Sequence, residues 1–344
     1  MSGTSLDGID LAEIIFWKEN QKIKFQIETT QTISYSKEWT NKLKNAINYS
    51  EKELKVIDLK YTILLGNSIN DFIFQNDIKN IDAIASHGHT ISHQPEKGIT
   101  LQIGNLPEIA KITNQKTVCD FRIQDVKLGG QGAPLVPIGD RLLFSDFDYC
   151  LNLGGFSNIS FEKNSQRIAY DISPVNTVLN FYANKFGLDY DNKGRISNEG
   201  TFNMELFKKL NNIKYYNKKT PKSLGFEFVK EVILPITENN YTIPDVLRTF
   251  SEHIAFQIGK NILFKKSKLL ITGGGVYNIF LIQKIKRYLP ETEIIIPDKK
   301  IIEYKEALIF ALLGYLRMEK KINVLASVTG AKYDHCSGKI FVFQ

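Results

Sequence analysis

MSGTSLDGID, residues 1–10, opens the chain, and LNLGGFSNIS, residues 151–160, repeats its construction in the second half. Each holds a small, donor-rich turn, Gly3-Thr4-Ser5 or Gly154-Gly155-Phe156-Ser157, that leads into a run of strand-forming residues. A third turn, Gly273-Gly274-Gly275, follows the apolar run Lys268–Thr272. Phosphate is gripped by backbone N–H groups at close range, and glycine admits that approach because no Cβ stands in the way. Ser2, Thr4, Ser5 and Ser157 add hydroxyl donors. One such turn alone reads equally well as a tight strand connection. Three together predict a nucleotide-binding chain made of two related halves. Neither GxxxxGK[ST] nor GxGxxG occurs, so the P-loop and Rossmann routes to a nucleotide are not supported.

Around these turns the apolar pattern alternates between strand and helix periods. Ile9–Trp17 and Lys22–Ile33 read as neighbouring strands, and Lys37–Tyr49 and Glu51–Gln75 as helices, the second through Leu54, Ile57, Leu64 and Ile69. Ile81–Ser86, Thr100–Ile103 and Thr117–Phe121 are short apolar runs between glycine turns. In the second half Tyr149–Leu153 reads as a buried strand and Asn158–Glu162 as its return. Helices are predicted at Pro174–Phe186, Thr201–Leu210, Phe226–Leu234, Pro244–Phe264, Tyr277–Tyr288 and Glu303–Glu319, with strands at Lys268–Thr272 and Glu293–Ile296. Asn211–Leu224 reads as a polar surface connection. The class is α/β. A chain of 344 residues exceeds the roughly 250–300 at which single cores stop growing, so two lobes are expected, residues 1–146 and 147–344.

Composition narrows the partners. With 43% hydrophobic and 24% charged residues the chain is globular, and its net charge of +7 is spread over pairs such as Lys208-Lys209 and Lys320-Lys321. No basic block is interleaved with aromatics, which argues against nucleic acid and for solvated lysines on helix faces. Ala307–Leu316, the longest helical apolar stretch, falls short of the roughly 20 residues that span a bilayer, so no membrane partner is expected. Cys119, Cys150 and Cys336 form no CxxC pair and suit reduced thiols. No signal-peptide pattern is found at Met1, and a cytoplasmic protein is expected.

Two phosphate turns with a glycine triplet downstream form the arrangement of the actin, Hsp70 and sugar-kinase superfamily. Within it the chain resembles the anhydro-N-acetylmuramic acid kinases. The resemblance runs through MSGTSLDGID, SHGHT at 86–90, LQIG at 101–104, DFRIQDVKLGGQGAPLVP at 120–137, LNLGGFSNIS, TGGGVYN at 272–278 and VTGA at 328–331. It implies two related actin-like (ribonuclease H-like) lobes with a nucleotide cleft between them. It also implies an ATP- and Mg2+-using kinase that opens the 1,6-anhydro ring of anhydro-N-acetylmuramic acid with water and phosphorylates O6, in recycling of peptidoglycan. A small amino sugar is then the partner, and a homodimer the assembly. A kinase for another amino sugar, or a nucleotide-binding regulator without turnover, is the alternative reading.

The resemblance assigns roles to particular residues. Gly3, Thr4, Ser5, Leu6, Asp7, Gly8, Ile9, Asp10, Gly154, Gly155, Asn158, Gly273, Gly274, Gly275 and Asn278 match the nucleotide-binding segments. Asp171, in YDISPVN, matches the catalytic aspartate, and Thr90, Arg122 and Glu306 match substrate-contacting positions. The residues themselves leave other readings open: Asp171 as an N-cap, Arg122 as an ion-pair partner of Asp125, and Glu306 as a solvated first-turn glutamate. Asp7 and Asp10 could orient hydrated magnesium or stabilise the turn. His87, His89 and His93 invite a zinc site, or sugar and loop hydrogen bonds.

The chain departs from the family in four places. DISPVN stands where the family has DTGPGN, putting side chains at Ser173 and Val175 where a ligand is expected to come close. His89 replaces a Gln and Asp140 a His. The family also has an apolar strand before MSGTS, and adding native upstream codons, if they exist, is expected to raise the melting temperature.

Overall fold

A computed structural model describes every residue except Thr4, Ser5, Asn239, Asn240, Lys265 and Gln344. Two of the expected nucleotide-binding residues, Thr4 and Ser5, thus lie outside the described residues. In chain order the strands are β1 (Gly8–Glu19), β2 (Lys22–Ser34), β3 (Ile84–Ala85), β4 (His89–Gln94), β5 (Ile99–Ile103), β6 (Thr117–Cys119), β7 (Tyr149–Leu153), β8 (Phe156–Lys163), β9 (Gln166–Pro174), β10 (Lys268–Thr272), β11 (Glu293–Ile295) and β12 (Lys339–Phe341). They divide between two packing units. Unit 1 comprises Met1–Leu143 with Tyr304–Gln344, and unit 2 comprises Phe144–Glu303.

Unit 2 is built on one five-stranded sheet in the order β11-β10-β7-β8-β9. β7, β8 and β9 form an antiparallel meander, while β10 is parallel to β7 and β11 parallel to β10. Counted within the unit this is third, second, first, fourth, fifth, the ribonuclease H-like order. β7 reads as an apolar run because Tyr149, Leu151 and Leu153, on one face, join Val178, Leu179, Phe250, Ile254 and Leu281 in one buried cluster, while Cys150 is buried on the other. The helix Ile243–Asn261 starts cleanly because Thr242 accepts a hydrogen bond from Asp245 N and Pro244 needs no donor there.

In unit 1, β1 and β2 form a long antiparallel ribbon, β3 pairs in parallel with β6, β12 runs antiparallel to β6, and β4 and β5 form a hairpin. The pairings correspond to those of unit 2, the antiparallel β1-β2 to β8-β9 and the parallel β3-β6 to β10-β11. Where unit 2 has β7, the described residues of unit 1 offer Met1 and Ser2. Met1 and Asp10 exchange two backbone bonds of 2.8 Å, and Ser2 bridges in parallel to His89. The helix Glu51–Gln75 begins at a capping box, in which Ser50 and Glu53 each satisfy the other's backbone N–H. It turns Ile57, Tyr61, Leu65, Ile69 and Phe72 toward Ile9, Leu11 and Ile103.

Most predicted elements are present with ends shifted by one to four residues. Asn211–Leu224 is a correction. It contains a short 3-10 turn, Lys214–Asn217, whose Tyr215 and Tyr216 are buried, and Asp171 N donates to Lys222 O at 3.2 Å. A lysine-rich composition hid two aromatic anchors. Glu303–Glu319 is likewise longer in the structure, running Lys299–Met318 with a kink at Tyr304. Among the described residues no helix is long and apolar enough to cross a membrane.

Candidate active site

The unit 2 turns are held by backbone. Val175 N and Thr177 N both donate to Gly155 O, at 2.8 and 3.2 Å, and Asn176 N donates to Gly154 O. Gly273 has φ +86°, and a Cβ there would lie 2.6 Å from Asn152 Oδ1 and 2.7 Å from Leu153 O. Only glycine fits where the two turns meet. A Cβ on Gly274 would meet only Asn176 Nδ2, at 3.9 Å, so this surface is nearly bare of side chains. Such a surface suits phosphate oxygens. Asn278, expected among the nucleotide residues, instead caps the helix Ile279–Tyr288, accepting from Leu281 N at 2.9 Å. Asn152, Asn176 and Thr177 line the turns and were not singled out from the sequence, although Asn176 closes the DISPVN motif.

Asp171 lies on β9 directly opposite the exposed Asn158 of β8. Ser157 pairs with Ser173, so Ile172 is an extra residue, a bulge of the kind that re-aims neighbouring side chains. The N-cap reading of Asp171 fails: the helix it would cap begins at Asn176, with Val175 at the cap. Its Oδ2 accepts from Leu224 N at 2.8 Å, while Oδ1 takes no hydrogen bond from a described residue. Burial pushes the carboxyl up to about 6, against the Leu224 bond, which favours the ionised form. A carboxylate so placed is ionised at neutral pH and still basic enough to take a proton.

Ser173 and Val175, expected to crowd a ligand, face inward. Ser157 Oγ donates to Ser173 O at 3.0 Å, Ser173 N donates back at 3.1 Å, and the two hydroxyls lie 3.0 Å apart. Val175 is fully buried in the unit 2 core.

In unit 1 the first turn enters β1 through Gly8, where a Cβ would strike Ile33 O. Leu6 has φ 59°, the Ile9 side chain is buried in the core, and Asp10 Oδ1 accepts from Thr32 Oγ1 at 2.7 Å. Of this segment Ile9 can offer a ligand only its backbone. Asp10, Glu306, Arg122 and the Met1 amino group act on one another electrostatically. Glu306 reaches solvent, yet the protein packed around it raises its carboxyl above the usual range, with Arg122 the strongest opposing influence. Exposure combined with that crowding marks a recess. No described residue donates a hydrogen bond to Glu306.

Arg122 and Asp125 are not used as a simple pair. Both hold Gly132: Arg122 Nη1 donates to its oxygen at 2.7 Å, and its N–H donates to Asp125 Oδ2 at 2.6 Å. Asp125 also accepts from Thr329 Oγ1 of VTGA at 2.7 Å, with His335 Nε2 3.6 Å away. Arg122 Nε donates to His87 Nε2 at 2.9 Å, which places the proton of that ring on Nδ1, toward Gly88 O. Burial, then Arg122, holds His87 well below the usual histidine range. Burial also brings the Arg122 guanidinium down to about 10, still charged at neutral pH. His87 is a partner that sequence reading left undecided.

The other histidines have separate partners. His89 Nδ1 meets Ser2 Oγ at 2.8 Å, and His93 Nδ1 meets Thr100 Oγ1 at 3.0 Å. His89, buried and lowered to about 4, braces the first turn. Thr90 is beside it on β4, and its hydroxyl accepts weakly from Gln102 Nε2 at 3.4 Å. Asp140 forms a buried ion pair with Lys305 at 2.8 Å, fixing the residue next to Glu306.

Comparison with known proteins decides the family. The family model described as anhydro-N-acetylmuramic acid kinase matches residues 1–343. The chain belongs to the anhydro-N-acetylmuramic acid kinase family. A relative of that name from Clostridioides difficile (strain 630) is 35% identical over 371 residues, covering 99% of this chain and 96% of its own. Others of the same name, from Mannheimia succiniciproducens and Sulfurimonas denitrificans, are 34% and 31% identical, each over 99% of this chain and 97% and 98% of theirs. Among solved structures, the activator of the 2-hydroxyisocaproyl-CoA dehydratase from Clostridium difficile, with bound ADPNP, superposes over 54% of this chain and 68% of its own, with 18% identity and a TM-score of 0.34. That partial likeness adds nothing to the assignment.

Proposed function

We propose that this family member uses ATP and water to convert 1,6-anhydro-N-acetylmuramic acid into N-acetylmuramic acid 6-phosphate and ADP, in the cytoplasm, during recycling of peptidoglycan. The observation that supports this most is Asp171: a half-buried carboxylate with one oxygen held, the other taking no hydrogen bond from a described residue, and basicity raised to about 6. Asp171 takes a proton from water, and the water oxygen bonds to the anomeric carbon. The anomeric carbon's bond to the bridging oxygen breaks, that oxygen remains as O6, and O6 takes the γ-phosphoryl group as the bond to ADP breaks. The proton accepted by Asp171 leaves to solvent.

Arg122 suits the lactyl carboxylate of a muramic acid, and Glu306 and Thr90 suit sugar hydroxyls. The glycine turns at Gly154-Gly155 and Gly273–Gly275, and the segment Gly3 to Asp10, suit ATP phosphates. Magnesium needs one or two carboxylates besides phosphates and water, and Asp7 and Asp10 would hold it through water. It would neutralise charge on the transferring phosphoryl group. A homodimer is part of the same reading.

The test incubates the protein with ATP, magnesium and the anhydrosugar and follows the 6-phosphorylated product by mass spectrometry, beside Asp171→Asn. Product in the parent and none in the variant is the expected result. ATP binding without turnover on any amino sugar overturns it in favour of a regulator, and turnover of another amino sugar alone reassigns the substrate.

A further inference from the structure

One segment of unit 2 holds Asp171 by several of its polar groups. Asp171 N donates to Lys222 O at 3.2 Å, Tyr215 OH donates to Asp171 O at 2.8 Å, and Leu224 N donates to Oδ2 at 2.8 Å. The backbone of β9 at this residue is therefore fixed from the side away from β8, and the carboxylate cannot rotate without losing its bond to Leu224.

The segment is itself anchored in the unit 2 interior. Asn211 Oδ1 accepts from Gln257 Nε2 at 2.7 Å and lies 2.9 Å from His253 Nδ1. An oxygen that accepts from both assigns the ring proton to Nδ1 and leaves His253 Nε2 to accept from Tyr216 OH, at 2.9 Å. His253 and Gln257 are buried on the helix Ile243–Asn261. Burial drops His253 to about 3, so this anchor stays neutral across the working range and contributes no pH dependence. Lys222 lies over the rings of Tyr170 and Tyr215, at 5.7 and 4.8 Å, with Lys260 the charge that acts on it. Tyr170 OH is committed to Asn261 Oδ1 at 3.0 Å. The groups facing Asp171 are thus Tyr215, the Leu224 N–H and Asn158 across the sheet, with Lys222 above the tyrosines.

We propose that Asn211–Leu224 is a positioning segment for the base: Leu224 N–H pins Oδ2, so that Oδ1 is the oxygen presented to the attacking water, and Tyr215 holds the residue's carbonyl in register. This rests on Asp171 being the base. A carboxylate aimed by a fixed donor loses rate, not substrate affinity, when the donor is removed.

The experiment measures kcat and KM against pH for the full chain, for Leu224→Pro, which deletes the N–H, and for Tyr215→Phe, which deletes one hydroxyl and keeps every backbone bond. Asp171→Asn runs beside them. Tyr182→Phe is the control, since it breaks another buried tyrosine bond of unit 2, to Thr237 at 2.7 Å, away from the segment. Leu224→Pro is expected to lower kcat about tenfold or more with KM within about twofold, and to move the acidic limb to higher pH, because the bond that favoured the ionised form is gone. Tyr215→Phe is expected to lower kcat about threefold, with the control unchanged in both readouts. If Leu224→Pro fails to fold, Tyr215→Phe decides. Parent-like kcat and acidic limb in Tyr215→Phe and in any folded Leu224→Pro, while Asp171→Asn is dead, overturn the positioning role. An equal loss in the control overturns it too, and an active Asp171→Asn overturns the base assignment instead.

Discussion

The two units share strand pairings and mount their functional groups differently. In unit 2 the sheet is continuous through five strands, and Asp171 projects from a strand paired on both flanks, by β8 and by Lys222. In unit 1 the ribbon β1-β2, the sheet β12-β6-β3 and the hairpin β4-β5 are separate; among the described residues Met1 bonds to β1 and Ser2 bridges to His89 of the hairpin. Its functional groups come from a turn, a loop after β6, a hairpin and a helix. Proton transfer tolerates little displacement of the base, whereas charge recognition falls off gently with distance. The rigid mount therefore suits the proposed base, and the composite one the residues proposed to meet the sugar.

The largest test of that contrast is Asp171→Asn. It is expected to lower kcat by about 10²–10⁴-fold with little change in KM. In the parent, kcat should rise about tenfold per pH unit up to about 6 and then level off, because the ionised form is the active one. The folded carboxyl holds its proton to higher pH than the unfolded one, so stability drops as pH rises between about 4 and 6. Asp171→Asn should thus be more stable than the parent above pH 6, by up to about 3 kcal/mol, and equal to it below about pH 4. A variant with normal kcat breaks the contrast outright.

Asp140→Asn should lower stability, by about 3–5 kcal/mol at most, by removing the carboxylate paired with the buried Lys305 ammonium. Hydrogen exchange should show the loss in unit 1 and spare β7 to β10; uniform loss would mean that the units are one folding body. Arg122→Ala follows, with KM for the sugar raised about tenfold or more and kcat changed less. A pure kcat defect would place Arg122 with the chemistry. The smallest effect belongs to Ser173→Gly: kcat/KM within about twofold, and a melting temperature lowered by loss of the hydroxyl–hydroxyl bond to Ser157, the two bonds to the residue's backbone being kept. A large kinetic gain on restoring glycine would show that this side chain does reach a ligand.

Much of this was legible in the sequence. β7 and β10 were read to the residue because buried parallel strands are short, apolar and closed by glycine. Asp171, Arg122 and Glu306 were singled out as candidates through motif resemblance. What escaped has physical reasons. The return of residues 304–344 to unit 1 depends on long-range packing, such as Lys305 on Asp140, that no local pattern announces. Asn211–Leu224 looked like a solvated loop because lysines and asparagines outnumber the two tyrosines that bury it. Asn278 was placed among the nucleotide-binding residues with no sign of the helix cap that its side-chain oxygen also makes, a role common to this residue type.

The inward-facing pair at Ser157 and Ser173 bears on how motifs ought to be compared. Scored letter by letter, DISPVN is a poor copy of DTGPGN. Scored by where each side chain points, the two altered positions belong to the interior, Val175 in the unit 2 core and Ser173 against Ser157. The meaningful alphabet for this motif is direction: outward residues are held by chemistry, inward ones by the shape of the space they fill.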